Sequence, residues 1–190
     1  MVKLRKLLGR KWLNYIAIII SAFTLIAFIY QTSVISQQQH MSVYPHLMLN
    51  NEYGGSLKYS FIITNKGVGP AIIDHLRVTT GDGKMYDDLG LYLMNTIPKK
   101  YHNDFLISNI TEGQLISPGE KIELITINHD WGFENSQDSI IANNKVDPIM
   151  FSNKLYALIN DENLLIEVAY RSVYDHEWKI TNRTKIPEEL

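Results

Sequence analysis

The longest hydrophobic run in the chain lies near its amino end. Residues 12–30, WLNYIAIIISAFTLIAFIY, contain no charged side chain, and only Asn14, Ser21 and Thr24 are clearly polar. A helix over these 19 residues would be about 28 Å long, close to the roughly 30 Å hydrocarbon core of a bilayer. Aromatic rings at or near both ends of the run suit the headgroup layer. We therefore predict a transmembrane helix over residues 12–30.

Two alternatives to a membrane anchor stay open, a buried core helix and a cleaved signal peptide. A signal peptide has a shorter apolar region, of about 7 to 15 residues, that ends in a small-x-small cleavage site. The sequence that follows the run, YQTSVISQQQH, offers no clean site of that kind. An uncleaved anchor is therefore favoured. Residues 31–42 are polar and Gln-rich, and they predict a stalk that is either helical or extended.

Beyond residue 43 the hydrophobic pattern alternates with a period of two, which is typical of β-strands. The segments VYPHLML, LKYSFIIT, AIIDHLRVTT and QLISPGEKIELITI each predict a strand. The predicted core faces are Leu57, Tyr59, Phe61 and Ile63 in the second segment, and Ile122, Leu124 and Thr126 in the fourth. NLLIEVAYRSVY and EWKITNRTKI predict a terminal hairpin joined by the two residues DH, with Leu164, Ile166, Val168 and Tyr170 inward.

Two segments favour short helices instead. Residues 87–97, DDLGLYLMNTI, open with acids, which suit the positive end of a helix dipole. Residues 147–161 have a proline at a plausible first helical position, followed by apolar residues at helical spacing. The pattern therefore predicts a mainly β protein: an Ig-like β-sandwich over residues 43–190 with one or two short helical insertions, preceded by the transmembrane helix.

Charge predicts which side of the membrane each part occupies. Five of the 18 Lys and Arg residues precede the apolar run, and the 13 that follow it face 20 Asp and Glu, a net charge of about −7. Because cationic flanks stay in the cytoplasm, residues 1–11 are a predicted cytoplasmic tail and residues 43–190 lie outside. An acidic body disfavours nucleic acid as a partner. The absence of cysteine excludes thiol catalysis, disulfides and Cys-ligated zinc.

The segment TNKGVGPAII contains half of a phosphate-binding glycine loop. A dinucleotide loop needs a third glycine for close packing of helix on strand, but position 72 is Ile. Gly67 and Gly69 can adopt positive φ in a turn, and Gly69–Pro70 favours an extended segment after it. We therefore predict a structural turn, with a phosphate site as the alternative.

NKGVGPAII, SPGEKIEL and IEVAYRSVYDHEW together resemble a loosely defined group of bacterial proteins with one N-terminal membrane helix and an exported Ig-like domain. The resemblance covers nearly all of residues 43–190. It implies a single-pass protein of the bacterial inner membrane, with a cytoplasmic amino end and a periplasmic domain. It also implies that Asn65, Gly67, Gly69 and Pro70 are architectural, and it implies no activity.

Residues that could carry chemistry are scattered along the sequence. Several of the six histidines stand beside an aspartate, but none has the H-x-x-x-H or H-E-x-x-H spacing of a helical zinc site. Asp82, Asp87 and Asp88 share a short segment but lack the calcium-loop pattern. We therefore predict no catalytic residue, no metal and no cofactor.

Tyr170, Tyr174 and Trp178 lie near one another across the predicted hairpin. They are either a cross-strand packing cluster or an exposed aromatic platform. The sequence as a whole favours a non-enzymatic interaction module that is held in the lipid bilayer. Its expected partner is another envelope protein, in which case it is an accessory subunit of an assembly, or a second copy of the chain. The alternative is a module that binds envelope glycan or peptide through the aromatic platform.

Overall fold

The amino-terminal unit is one long helix. The computed structural model describes residues 2–53, 58–128 and 148–190, and it separates the unit Met1–Ser42 from the unit Val43–Leu190. Helix α1 (Val2–Ser42) runs for 41 residues, so the segment 31–42, for which two conformations were considered, is helical. Its stretch Trp12–Gln39 is long and apolar enough to cross a membrane, a test that a signal sequence also passes.

The second unit is rich in β-strands. In chain order its described elements are β1 (Leu47–Tyr53), β2 (Lys58–Asn65), β3 (Ala71–Thr79), β4 (Met85–Tyr86), α2 (Leu89–Thr96), a 3-10 turn (Lys99–Tyr101), β5 (Leu106–Ile107), β6 (Leu115–Ile116), β7 (Lys121–Asn128), α3 (Pro148–Ile159), β8 (Leu165–Arg171), β9 (Glu177–Thr181) and β10 (Glu188–Glu189). One sheet has the order β1-β2-β7-β5 and the other β10-β9-β8-β3-β4, with β6 paired to β3. Within the described residues, every strand pair is antiparallel. The prediction of a mainly β body is therefore confirmed.

Both sheets contribute to one hydrophobic core. Tyr59, Phe61 and Ile63 of β2 are buried, as their alternation predicts, and Leu57 lies outside the described residues. They belong to the same cluster as Ile166 and Val168 of β8 in the other sheet. Ser60, Ile62 and Thr64 on the other face of β2 are buried as well, which alternation alone does not indicate.

The predicted core face of β7 is confirmed for Ile122 and Leu124, which pack against or belong to the core, and is wrong for Thr126. Phe61 pairs with Ile125 while Ile62 pairs with Glu123, so Leu124 is the extra residue of a β-bulge. A bulge shifts the two-residue period by one. Ile125 and Ile127, rather than Thr126, therefore stand opposite the core face of β2.

The terminal hairpin is confirmed in its strands and corrected in its turn. The inward residues Leu164, Ile166, Val168 and Tyr170 are all buried. However, Arg171 pairs with Glu177, so five residues, 172–176, form the loop instead of two. Ser172 closes it, because its Oγ accepts from the N–H of Tyr174 at 3.2 Å and its own N–H donates to the carbonyl of His176 at 2.9 Å. Asp175 adopts a left-handed conformation, φ 59°, which aspartate tolerates.

Both predicted helices are present. The Asp88 carboxylate caps α2 by accepting from the N–H of Leu91 at 2.6 Å, which satisfies one of the orphan donors of the first turn. Leu155 and Ile159 of α3 are buried in the core, and Leu158 packs against it. The helical spacing along residues 147–161 therefore identified the face of α3 that the core covers.

Candidate functional site

The predicted turn is organised around a buried asparagine. Asn65 is fully buried, and its Nδ2 donates to the carbonyls of Gly69 at 2.8 Å and Ile116 at 2.9 Å. Its Oδ1 accepts from the N–H groups of Gly67 at 2.9 Å and His46 at 3.2 Å. Four hydrogen bonds use both donors and both acceptor positions of the carboxamide. One side chain thus joins three separate segments of the chain.

Gly67 and Gly69 serve close backbone approach rather than positive φ. Neither has a left-handed φ, which corrects the conformational reason given from the sequence. A Cβ on Gly67 would stand 2.3 Å from the Tyr44 carbonyl oxygen, and a Cβ on Gly69 would stand 1.8 Å from that of Val43. Only glycine fits where two backbones pass so closely.

The amide groups of this turn are already engaged within the domain. Lys66 donates to the carbonyl of His46 at 2.7 Å. Val68 and Gly69 both donate to the carbonyl of Tyr44, at 3.0 and 3.1 Å. A phosphate-binding loop needs its N–H groups directed at the ligand. The observed bonds therefore give this loop a structural role, and they give no support to the phosphate alternative.

The aromatic residues of the hairpin do not form an exposed platform. Tyr170 is 0% exposed and Trp178 is 7% exposed, whereas Tyr174 is 45% exposed. The rings of Tyr170 and Trp178 stack with centroids 5.9 Å apart, and Tyr44 meets Trp178 edge-on at 5.3 Å. Burial corrects the platform hypothesis, because two of its three rings are part of the core. It favours the cross-strand packing cluster instead.

Tyr170 also connects the two sheets. Its hydroxyl accepts a hydrogen bond from the Leu47 N–H at 3.3 Å, across the core. Burial raises the pKa of the Tyr170 phenol above its ordinary value, and the hydrogen bond from Leu47 opposes that rise. The neutral hydroxyl serves as a structural acceptor for the Leu47 N–H.

β1 presents an edge of its sheet. Leu47 pairs with Asn65, and Lys66 donates to the His46 carbonyl, so by antiparallel alternation Leu47, Leu49 and Asn51 direct their backbone groups away from β2. Leu47 donates to Tyr170. No strand is paired with this side of β1 in the part of the chain that the structure describes. Unpaired backbone groups along an edge form a template for another strand.

A shallow cleft of about 360 Å³ lies beside β3 and α2. Asp74, Asp87, Asp88 and Glu112 line it together with His75 and Arg77. Asp74 is paired with Arg171 at 2.9 Å, and His75 Nε2 lies 3.7 Å from a Glu167 oxygen. Asp88 caps α2. Asp74 and Asp88 therefore have structural partners within the domain.

The other candidate ligands lie apart from one another. His102 bonds to the Ile97 carbonyl at 2.8 Å, His176 lies 3.9 Å from Glu189, and His129 lies outside the described residues. Asp82 bonds to Thr80 and pairs with Lys84 at 3.0 Å. Across residues 2–53, 58–128 and 148–190, no group of three His, Asp or Glu side chains is placed to hold a metal ion.

Sequence inspection missed the partners of the turn. The role of Tyr44 and His46 depends on contacts between residues about 20 positions apart, and the sequence signal for them was only the pair of glycines.

Comparison of the chain with protein-family models, with curated proteins and with solved structures finds no match.

Proposed function

We propose that this protein is a non-enzymatic, membrane-anchored interaction module of the bacterial inner membrane. Helix α1 holds it in the bilayer with the amino end in the cytoplasm, and an Ig-like β-sandwich lies in the periplasm. There the sandwich binds another envelope protein or a second copy of the chain, as an accessory subunit of an assembly.

The exposed apolar surface of α1 supports anchoring. Side chains such as Ile18, Phe23 and Ile26 are each more than half exposed, and a bilayer is the environment in which such a surface is stable. Thr24 and Thr32 donate their hydroxyls to backbone carbonyls one turn earlier, both at 2.9 Å. Their polar groups are therefore satisfied inside the helix.

The observation that carries the interaction proposal is the long edge of β1. The edge strands β4, β5 and β10 have two residues each, whereas β1 has seven. Short edges resist pairing with other chains, whereas the outward backbone groups of Leu49 and Asn51, together with the carbonyl of Leu47, give β1 a template for strand addition. Asn51 and Glu52 make the edge polar, and Glu52 is paired with Lys121. The edge is thus suited to reversible recognition more than to permanent burial.

Site-specific photocrosslinking in intact membranes tests this proposal. A photoreactive residue replaces Glu52 on β1, and the matched control replaces Met85, an exposed residue on the edge strand β4 of the other sheet. We expect a discrete adduct from position 52 and none from position 85. Mass spectrometry then identifies the captured chain.

Two results would count against the proposal. If position 52 yields only uncrosslinked monomer over a range of expression levels, the β1 edge is not an interface. If both positions give the same adducts, capture is random contact in a crowded membrane.

A further inference from the structure

β1 lacks the features that usually protect the edge of a sheet. Natural edge strands avoid pairing with one another through lysine, proline, bulges or short length. The seven residues of β1, LMLNNEY, include neither lysine nor proline, and they pair with β2 in one unbroken register. The β2–β7 and β3–β8 pairs, in contrast, each contain a register shift. None of these safeguards is therefore present in β1.

Charge does not protect this edge either. Glu52 is the only charged residue of β1, and its carboxylate is paired with Lys121 of β7. Both side chains lie on the face of the sheet away from the core, because Glu52 pairs with Ser60 and Lys121 pairs with Thr64. Two copies of β1 can therefore lie side by side without setting unpaired like charges against each other.

The backbone of β1 limits where another strand can pair. Every second residue, from Leu47 to Tyr53, directs its backbone groups away from β2. The N–H of Leu47 already donates to the Tyr170 hydroxyl at 3.3 Å. Exchange of hydrogen bonds in both directions with an added strand is therefore available at Leu49, Asn51 and Tyr53.

We infer that the occupant of this edge is the β1 strand of a second copy, paired antiparallel about a two-fold axis at Asn51. This inference rests on the proposed function and names the partner at the same site. Asn51 lies opposite Asn51 of the second copy, and Leu49 of each copy lies opposite Tyr53 of the other. The three opposed pairs each exchange two backbone hydrogen bonds, about six in total. Such an interface uses the same surface of both copies, so the assembly closes at the dimer.

Both side chains and backbone favour this register over its neighbours. In it Asn50 stands opposite Glu52 of the second copy, so a carboxamide N–H faces a carboxylate. Moving the strands by two residues in one direction sets Tyr53 opposite Leu47, and the Tyr53 carbonyl then faces an amide that Tyr170 has engaged. Moving them in the other direction leaves two opposed pairs, with about four hydrogen bonds.

The membrane makes a short interface of this kind sufficient. About six hydrogen bonds between exposed strands are a weak contact in water. Copies that α1 holds in one bilayer meet at an effective concentration far above that of a dilute protein in solution. We therefore expect dimers to form at a high protein-to-lipid ratio and to dissociate when the bilayer is diluted with lipid.

Because the chain has no cysteine, disulfides between introduced cysteines report the register directly. Asn51 is left unchanged, since its side chain bonds to Tyr59 at 2.7 Å and to Asn160 at 3.1 Å. Asn50→Cys and Glu52→Cys, one of them carrying an affinity tag, are reconstituted together as full chains and oxidised.

The distances between strands decide the expected products. Residues directly opposite are about 4.5 to 5.5 Å apart, whereas diagonal residues are about 7 to 8 Å apart, at the limit for a disulfide. We expect the mixed disulfide between positions 50 and 52 to form at least about five times faster than either homodisulfide. Met85→Cys, at the exposed edge strand β4, is the control for random collision and should give none.

Amide exchange on the unsubstituted chain gives a second measurement that does not depend on the folding of a variant. The N–H groups of Leu49 and Asn51 should exchange at least about tenfold more slowly at a high protein-to-lipid ratio than at a low one. The control is the N–H of Met85. It also points away from its paired strand, because the Thr80 N–H donates to the Lys84 carbonyl, and it should exchange equally at both ratios.

Either of two results would overturn the inference. A homodisulfide at position 50 or 52 that forms as fast as the mixed one would mean another register or random collision. Equal exchange of the two β1 amides at both ratios would mean that no second copy lies on the edge. The photoreactive residue at position 52 then separates the two claims. A discrete adduct with a different protein would keep the proposed function and reject the second copy, whereas the absence of any adduct would reject both.

Discussion

Replacing Asn65 by aspartate tests the central claim about the turn. The change keeps the shape of the side chain but converts Nδ2 into an oxygen that faces the carbonyls of Gly69 and Ile116 at 2.8 and 2.9 Å. Two hydrogen bonds are lost, and two buried carbonyl oxygens lose their donors. At about 1 to 3 kcal/mol for each unsatisfied buried group, we expect the free energy of unfolding to fall by about 3 to 5 kcal/mol.

The loss should depend on pH in a defined direction. Burial against carbonyl oxygens raises the pKa of the introduced carboxyl above its unfolded value of about 3.9. The protonated acid can still donate one hydrogen bond, so the deficit is smallest below about pH 3.9. It grows as the pH rises toward the folded-state pKa, because the unfolded state then ionises first.

Urea unfolding of the full chain in detergent micelles, followed by circular dichroism of the β domain, measures the effect. With a slope of about 2 kcal/mol per molar urea, the midpoint should fall by about 2 M at pH 7. Asn95→Asp is the matched control, because Asn95 also donates to a carbonyl, that of Leu91 at 2.7 Å, but is exposed. If the two variants lose the same stability, the buried network around Asn65 does not have the importance assigned to it.

Three further predictions follow from single contacts. Gly69→Ala should lower the free energy of unfolding by about 3 kcal/mol or more, because the added Cβ would overlap the Val43 carbonyl. An unchanged thermal midpoint would contradict the close approach of the Gly69 and Val43 backbones. Tyr170→Phe should lower the free energy of unfolding by about 1 to 3 kcal/mol, because it leaves the Leu47 N–H without its acceptor. An unchanged urea midpoint would contradict this role of the hydroxyl. The hydrogen bond from Thr80, followed in size by that from Lys84, lowers the pKa of Asp82 to about 2. The stabilising effect of these bonds should therefore be complete above the unfolded pKa of 3.8 and be lost as the pH falls toward 2. An NMR titration midpoint of Asp82 near 3.8 would refute this.

Local patterns in the sequence predicted most of the β2, α2, α3 and β8 segments. Each segment has either a regular hydrophobic period or a residue that marks the end of a helix, such as Asp88 before α2. These signals depend only on residues close together in the sequence, so they can be recognised without the structure. The bulge at Leu124 was not predictable, because it depends on how β7 pairs with β2 and not on the composition of β7. A strand pattern shows which side chains share a face only while the pairing stays in register.

The candidate site was less predictable than the fold. Trp178 stacks on Tyr170 and is met edge-on by Tyr44, which is more than 100 positions away in the chain. The Asn65 network has the same character, since it joins segments that only the folded domain brings together. Composition could identify aromatic and amide groups, but the surface or core location of each depends on long-range contacts.

The bonds around Tyr44 and His46 determine how tension applied to the chain at Val43 enters the domain. The carbonyl of Tyr44 accepts from two amides of the turn, and His46 exchanges bonds with Lys66 and the Asn65 side chain. A pull therefore loads several bonds together before β1 is reached. The bonds at Tyr44 and His46 would therefore have to break before force reached the hydrogen bonds between β1 and β2. Those strand bonds would be protected from breaking one at a time.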